Sequence, residues 1–301
     1  MEKKEGMPTI GFIGQGFVGK NHADDFERRG FSVVRYSLEK QFIGNKSKIK
    51  TCDVVFIAVP TPTTENGFSD ALVCEVVSLV KVGGIAVIKS TVVPGTTEKI
   101  QKLYPRHFVL HAPEFLSEAT AARDAAFPER NIVGIPKENK VYRDKAELVL
   151  STFPRAPFTL ICGAREAELI KYARNCMGYA RVVMANIFFD LAQAVGARWQ
   201  PIEDAISADP FHGPIYARPM HKDGRGAGGH CFIKDFAALH AFYEAHMSDA
   251  RGAAVLDSLE KKNIELLISS GKDERLVRGV YGDGQRFSRR RRAPKNKKHL
   301  S

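Results

Sequence analysis

The chain has 301 residues, of which 44% are hydrophobic and 26% charged, so its composition is that of a globular protein with one large domain or two ordinary ones. It contains no apolar run near the roughly 20 residues that span a bilayer. Residues 1–8 are charged and lack the apolar core of a signal peptide. We therefore expect a cytoplasmic protein without membrane association.

The net charge of +11 is concentrated at the C-terminal end of the sequence. Eight basic residues and no acidic ones lie from residue 286 onward, which leaves +3 for residues 1–285. Because this end has almost no apolar residues, we predict that 286–301 is a basic, disordered tail. A solvated tail is the simpler interpretation and an acidic or phosphate-rich partner is the alternative. Nucleic-acid binding by the rest of the chain is not indicated.

The first half of the chain alternates short apolar runs with helix-like stretches. Helical patterns cover the stretch from the glycine-rich turn to residue 29, and also residues 72–81 and 96–103. The apolar runs, typical of buried strands, lie at 8–13, 31–36, 53–59, 85–88, 108–110 and 132–135. This alternation predicts an α/β, Rossmann-like fold with a doubly wound parallel sheet.

The pattern changes to mainly helical after about residue 160. Over 164–197 apolar residues recur at the spacing of one long amphipathic helix, and further helices are predicted at 235–245 and 251–268. The apolar positions of the long helix form more than one stripe, so we predict a homodimer built on it. We predict that residues 1–160 form a dinucleotide-binding domain. Residues 161–285 are predicted to form a helical domain for catalysis and dimerisation, followed by the tail 286–301.

Five cysteines are scattered along the chain without a disulfide or metal-binding pattern, and no metal site is predicted. Cys52, Cys74, Cys162 and Cys176 have apolar or helical surroundings typical of small core residues. Cys231 differs, because it follows a glycine-rich segment ahead of a predicted helix, where a thiolate is favoured.

A GxGxxG motif spans residues 14–19, directly after the first strand and before a helix. Such glycines permit a tight turn and close approach of a pyrophosphate to the helix N-terminus. The usual acidic residue at the end of the second strand is missing: Ser37 occupies its place, with Arg35 nearby. NAD is the expected cofactor, and NADP is the alternative. The predicted cofactor-binding residues of this region are Gly14, Gly16, Phe17, Val18, Gly19 and Ser37.

Four further segments follow in order: 59–63 (VPTPT), 89–95 (KSTVVPG), 112–118 (APEFLSE) and 228–235 (GGHCFIKD). With a Lys-x-x-x-Asn element on the long helix, the sequence over about 8–245 resembles the UDP-glucose/GDP-mannose dehydrogenase family. The resemblance implies that NAD contacts extend to Pro60, Thr61, Ser90, Thr91 and Glu118.

The resemblance also implies the chemistry. Members oxidise a sugar primary alcohol to an acid in two hydride transfers, with an enzyme-bound thioester between them. Cys231 would be the nucleophile, and Lys171 and Asn175, one helical turn apart, would stabilise the oxyanion of the thiohemiacetal. By the same resemblance, Asp235 would hold Lys171 or the attacking water. Glu114 and Thr91 would help to position the water that hydrolyses the thioester.

The sequence also departs from the family pattern. It has no room for the C-terminal domain that binds most of the substrate nucleotide, so we expect a protein that lacks it. Phe211 replaces the family's substrate-contacting arginine, and His230 replaces a serine before the cysteine. The expected substrate is a small molecule with a primary alcohol or aldehyde group. A nucleotide sugar is one candidate, and the sequence does not identify it. The alternatives are a β-hydroxyacid-type dehydrogenase, which needs no cysteine, and a cofactor-binding protein without activity.

Overall fold

The computed structural model describes residues 7–282, and they form two compact units. One unit consists of the residues up to 63 together with 68–174. The other consists of 64–67 together with the residues from 175 onward. The predicted tail, 286–301, lies outside the described residues.

The first unit is built around a seven-stranded sheet. Three of its strands, at 10–13, 54–57 and 85–88, are buried at every position, because both faces of the sheet are covered, and this explains their unbroken apolar sequences. The strands of the sheet are β1 (Ile10–Ile13), β2 (Val33–Tyr36), β3 (Val54–Ile57), β6 (Ile85–Ile88), β7 (Phe108–His111), β8 (Arg130–Ile135) and β9 (Phe158–Gly163). Two short strands, β4 (Thr63–Thr64) and β5 (Gly67–Phe68), pair separately.

Helices flank the sheet and connect its strands. They are α1 (Phe17–Arg28), a 3₁₀ helix (Ile43–Thr51), α2 (Ala71–Val77), α3 (Thr96–Leu103), α4 (Ala121–Ala126) and α5 (Lys140–Thr152). Two separate cores result, one on each face. The first includes the stacked rings of Phe12 and Phe56, with centroids 5.0 Å apart, and the second includes Ile13, Ile57 and Ile88.

The strand order is β2-β1-β3-β6-β7-β8-β9, which confirms the predicted Rossmann-like α/β fold. The sheet is not parallel throughout, however: β8 pairs antiparallel to β7, through His111 and Gly134, and β9 runs parallel to β8. A parallel return needs a crossover, usually a helix. Between β7 and β8 the only helix is the six-residue α4, which packs against α1, so no full crossover helix carries the chain back.

The second unit is mainly helical. Its helices are α6 (Ala164–Ala194), which begins in the first unit, α7 (Trp199–Ala208), α8 (Gly229–His246), α9 (Ala250–Ser270) and α10 (Glu274–Tyr281), and a small hairpin joins β10 (Met220–His221) to β11 (Gly224–Arg225). The long helix is confirmed, and it ends before Gly196, whose φ of 73° is left-handed. The predicted start of α8 at 235 is wrong: the helix begins at Gly229, so Cys231 lies in its first turn. None of the helices within 7–282 is long and apolar enough to cross a membrane.

Candidate functional site

The glycine-rich turn between β1 and α1 has the geometry of a pyrophosphate cradle. Gly14 has a φ of 91°, and a Cβ on it would lie 2.3 Å from the carbonyl oxygen of Ala58. A Cβ on Gly19 would lie 1.9 Å from the carbonyl oxygen of Gly14, so the third glycine lets α1 approach the turn. A Cβ on Gly16 would meet nothing within 4 Å and would occupy open space at the N-terminus of α1. The turn therefore fits a bound phosphate group at that helix end.

Arg35 is already paired with two carboxylates of α1. Its guanidinium donates to both oxygens of Glu27, at 2.9 and 2.6 Å, and lies 2.7 Å from Asp24. Its side chain is 12% exposed. These contacts direct Arg35 toward α1, so the pairing gives no support to a 2′-phosphate site formed by Arg35 and Ser37. The residues fit NAD better than NADP.

Other predicted cofactor residues lie where β3 and β6 end, at the carboxyl edge of the sheet. The hydroxyl of Thr61 donates to the carbonyl oxygen of Thr91 at 2.7 Å, and the hydroxyl of Ser90 donates to that of Val59 at 2.7 Å. These bonds tie two neighbouring loops together. Pro60 lies in the first of them and is exposed, as is Glu118 beyond β7. Ligands of open α/β sheets bind at this edge.

A buried cluster of charged groups surrounds Glu114, which follows β7. One carboxylate oxygen accepts the backbone N–H groups of Phe115 and Leu116, at 2.6 and 2.9 Å. The other contacts the imidazole of His22 and lies 3.2 Å from the ammonium of Lys89. Burial acts to raise the pKa of Glu114, but His22 and Lys89 outweigh it and hold the pKa well below its usual range. The carboxylate is therefore ionised and fully engaged.

Lys171 belongs to the same cluster. Its ammonium donates to the backbone carbonyl oxygen of Glu114 at 2.5 Å, and its side chain is buried. His111 at the end of β7 is completely buried, and burial together with the charges of Lys89 and Lys171 lowers its pKa to about 3. His111 is thus neutral. Within this unit, two of the proposed catalytic residues, Glu114 and Lys171, lie together with His22, Lys89 and His111.

In the second unit, Asn175 of α6 and Asp235 of α8 are hydrogen-bonded. The amide of Asn175 donates to one oxygen of Asp235 at 2.6 Å, and the ammonium of Lys234 donates to the other at 2.5 Å. Asp235 is 1% exposed, so its charge is buried with these donors. This pair orients the Asn175 amide.

The five cysteines differ in their burial. Cys52 and Cys176 are buried, as predicted for core residues, whereas Cys74 and Cys162 are only partly buried. Burial raises the pKa of the Cys52 and Cys162 thiols to about 11, and it also raises the pKa of Cys74 and Cys176. Cys231 alone among them is exposed, at the third position of the 18-residue helix α8. A helix N-terminus carries a partial positive charge that interacts favourably with anions. His230 and Phe211 are exposed too, and Phe211 is 92% exposed.

Sequence profiles of one enzyme family match both units. The profile "UDP-glucose/GDP-mannose dehydrogenase family, NAD binding domain" matches residues 37–152, and that of the family's central domain matches 165–264. Together they cover more than half of the chain. The chain belongs to the UDP-glucose/GDP-mannose dehydrogenase family.

Relatives within this family are longer than the chain. It is 32% identical over 208 residues to a putative UDP-glucose 6-dehydrogenase, YtcA, of Bacillus subtilis, covering 64% of the chain and 47% of the relative. The structure of a UDP-glucose dehydrogenase from Pyrobaculum islandicum superposes with a TM-score of 0.74 at 25% identity, covering 92% of the chain and 73% of that protein. The chain spans about half the length of the curated relatives named YtcA of Bacillus subtilis and UDP-glucose 6-dehydrogenase of Rickettsia prowazekii.

A shorter protein shares the fold. The 3-hydroxyisobutyrate dehydrogenase of Mycobacterium tuberculosis superposes with a TM-score of 0.66 at 16% identity, covering 91% of the chain and 98% of that protein. At this identity the likeness concerns the fold alone.

The family's NAD-binding domain identifies NAD as the cofactor that the first unit is built for.

Sequence reasoning missed His22 and assigned no role to Lys89. One signal was available for His22: Gly19, His22, Ala23 and Phe26 are spaced as the buried face of α1, so the imidazole had to meet a partner inside the fold. That partner, Glu114, is 92 residues away in sequence, and no local pattern connects the two.

Proposed function

We propose that this protein is an NAD-dependent dehydrogenase that oxidises a primary alcohol or aldehyde to an acid, with Cys231 as the covalent nucleophile. The observation that carries the proposal is the exposed position of Cys231 in the first turn of α8, in a chain whose other thiols have raised pKa values. Membership of the UDP-glucose/GDP-mannose dehydrogenase family supports it.

NAD, when bound, accepts the hydride in each of the two oxidations. The turn 14–19 would hold its pyrophosphate, because Gly16 leaves open space at the N-terminus of α1. The N–H groups of Phe17, Val18 and Gly19, in the first turn of that helix, would be the donors to its charge. Pro60, Thr61, Ser90, Thr91 and Glu118 would complete the cofactor contacts along the carboxyl edge of the sheet.

The thiolate of Cys231 adds to the aldehyde carbon, and the carbonyl oxygen becomes the oxyanion of a thiohemiacetal. We assign the stabilisation of this oxyanion to the ammonium of Lys171 and the amide of Asn175. Loss of a hydride from the thiohemiacetal carbon gives a thioester. Water then attacks the thioester carbon, the carbon–sulfur bond breaks, and Cys231 leaves as a thiolate.

Glu114 and Thr91 were expected to position the water for that last step. The contacts to both Glu114 oxygens favour a different role for this residue, namely to hold the segment whose carbonyl group receives Lys171. Asp235 orients the Asn175 amide. We therefore propose Glu114 and Asp235 as positioning residues for Lys171 and Asn175.

The proposed substrate is a nucleotide sugar, as in the relatives, without a choice among them. We also propose a homodimer, because the second-unit part of α6 exposes Met177, Met184, Phe188 and Leu191. A cytoplasmic location is proposed because all five cysteines are free thiols, as expected in a reducing compartment.

A matched pair of cysteine variants tests the covalent step. With UDP-glucose, GDP-mannose and related nucleotide sugars as probes, the parent should form acid and two NADH for each alcohol consumed. Cys231→Ser should form no acid, because the hydroxyl is a far weaker nucleophile. Cys162→Ser, which alters a thiol with a raised pKa, should retain acid formation. Acid formation by Cys231→Ser at the parental rate would remove Cys231 from the mechanism. Formation of one NADH for each alcohol and no acid, in the parent and in Cys231→Ser alike, would favour the β-hydroxyacid-type alternative.

A further inference from the structure

Residues 226–229, which lead into α8 and include its first residue, are held by side chains from α9 and from the turn between α9 and α10. Asn263 brackets Ala227: its amide nitrogen donates to the Ala227 carbonyl oxygen at 3.0 Å, and its oxygen accepts the Ala227 N–H at 2.6 Å. The ammonium of Lys272 donates to the carbonyl oxygen of Gly226 at 2.9 Å. Asn263 and Ala227 are both buried, so the segment is fixed from the side of α9.

The last contact of this set is made by Asp273, whose carboxylate accepts the N–H of Gly229 at 2.7 Å. Gly229 is the first residue of α8, so Asp273 occupies one of the donors that a helix leaves unpaired at its start. The approach is close: a Cβ on Gly228 would lie 2.2 Å from the Asp273 carboxylate and 2.7 Å from Cε of Lys272. This explains why glycine is needed immediately before the helix.

The backbone of Asp273 is itself unusual. It stands at the N-cap position of α10 with a φ of 54°, in the left-handed region that a non-glycine residue rarely adopts. Its carboxylate makes no capping hydrogen bond to α10 and serves α8 instead. A strained residue that directs its charge at another helix is the kind of outlier that points to a function.

We infer that Asp273 is a positioning residue for Cys231: it fixes the first turn of α8 and its charge competes with the Cys231 thiolate for that helix end. Gly229 and Cys231 are two residues apart within one helical turn, whose pitch is about 5.4 Å. A carboxylate at this end uses part of the favourable potential that would otherwise stabilise a thiolate. Lys272, bonded to Gly226, supports the same segment from the neighbouring position.

This inference rests on the proposed role of Cys231, but its test measures the thiol directly and requires no turnover. The rate constant for alkylation of Cys231 by iodoacetamide is followed against pH by peptide mapping, and hydrogen exchange is followed in the peptide covering 226–231. The variants are Asp273→Asn, which keeps an acceptor oxygen without charge, and Asp273→Ala, which keeps neither. Asp249→Asn is the matched control, since Asp249 caps α9 in the same unit.

In Asp273→Asn we expect the alkylation midpoint to fall by about half a pH unit to one unit, because a nearby like charge is removed. Hydrogen exchange over 226–231 should stay at the parental rate, since the amide oxygen still accepts from Gly229. Asp273→Ala should show the same fall and faster exchange. Asp249→Asn should change neither quantity.

Two results would overturn the inference. The first is an unchanged alkylation midpoint in Asp273→Asn, which would show that the charge does not act on Cys231. The second is unchanged exchange over 226–231 in folded Asp273→Ala, which would show that the contact does not hold the turn. If Asp273→Ala fails to fold, the midpoint in Asp273→Asn decides. A protein without dehydrogenase activity can still give the expected results, so this test and that of the proposed function fail separately.

Discussion

His22 of α1 contacts the carboxylate of Glu114, which follows β7, and both side chains are buried. The contact joins a helix next to the glycine-rich turn to the segment that receives Lys171. A carboxylate buried in this way must keep its donors, because an unpaired buried charge is costly. The His22–Glu114 contact therefore stabilises the fold, in addition to any role in catalysis.

We expect Glu114→Gln to lower the free energy of unfolding by about 3 kcal/mol, because it leaves Lys89 buried without its counter-charge. Urea titration monitored by circular dichroism measures the change. Glu138→Gln is the control, since Glu138 pairs with Arg143 at the surface and should change stability by less than about 1 kcal/mol. Equal, small effects of the two substitutions would contradict the importance of the buried cluster.

Local sequence patterns predicted much of this architecture. The apolar sequences of β1, β3 and β6 indicated strands covered on both faces, and the repeat over 164–197 predicted α6 to within three residues of its end. The start of α8 was placed six residues too late, because the two glycines at 228 and 229 read as a loop. In the structure, Gly228 is the N-cap residue of that helix.

Contacts between distant segments could not be predicted from the sequence. The antiparallel pairing of β7 with β8 depends on how the connection between them packs, which no periodicity encodes. Glu114 meets His22 across 92 residues and Gly229 meets Asp273 across 44. Asp273 also lies beyond residue 264, where the match to the family's central domain ends. The resemblance to the family therefore pointed to Cys231, but it could not point to Asp273, which accepts the N–H of the first residue of α8.

Glu168 of α6 is completely buried and accepts bonds from the N–H groups of Gly95 and Thr97, at 2.6 and 2.8 Å. Burial raises its pKa to about 7 despite these donors, against an ordinary value of 4.5. The folded state therefore holds the proton more tightly than the unfolded state. The stability that results is present in full below pH 4.5 and is lost as the pH rises to about 7.

The test compares unfolding free energies of the parent and Glu168→Gln between pH 4 and pH 8. We expect the parent to lose up to about 3 kcal/mol relative to the variant across this range. Glu166→Gln is the control, because Glu166 is exposed two residues earlier on the same helix. A difference that does not depend on pH would mean that Glu168 is ionised throughout.

Substitution of Gly14 should lower stability, whereas substitution of Gly16 should weaken NAD binding. Gly16→Val should keep the parental melting temperature, because its side chain would enter open space, but should weaken NAD binding by at least about tenfold by blocking the pyrophosphate. Gly14→Ala should lower the melting temperature, because its Cβ would overlap Ala58 at a φ of 91°. Thermal unfolding and calorimetric NAD titration separate the two effects. Parental NAD affinity in Gly16→Val would refute the assignment of the cradle.

The preference between NAD and NADP depends on the contacts that Arg35 already makes with Glu27 and Asp24. The parent should bind NAD more tightly than NADP, because both faces of the guanidinium fork are taken by Glu27 and Asp24. Glu27→Gln should bring the two dissociation constants closer by about fivefold, since it releases donors for a 2′-phosphate. The comparison is made by titration with NADH and NADPH. A loss of NADPH affinity in Arg35→Ala, in the otherwise unaltered chain, would show that Arg35 already contacts that phosphate.

The apolar surface of α6 in the second unit predicts the assembly state. Tyr179 and Val183 of this helix are completely buried within the chain, whereas Met177 is 73% exposed and Phe188 and Leu191 are more than half exposed. Exposed apolar side chains in a row along one helix are typical of a face that another subunit covers. Light scattering at micromolar concentration should give about twice the chain mass of 33.3 kDa. Phe188→Asp should shift the mass toward the monomer, because it would place a charge in the apolar contact, whereas Arg251→Asp, at an exposed site on α9, should not. A parent protein that scatters as a monomer would contradict both the interface on α6 and the proposed homodimer.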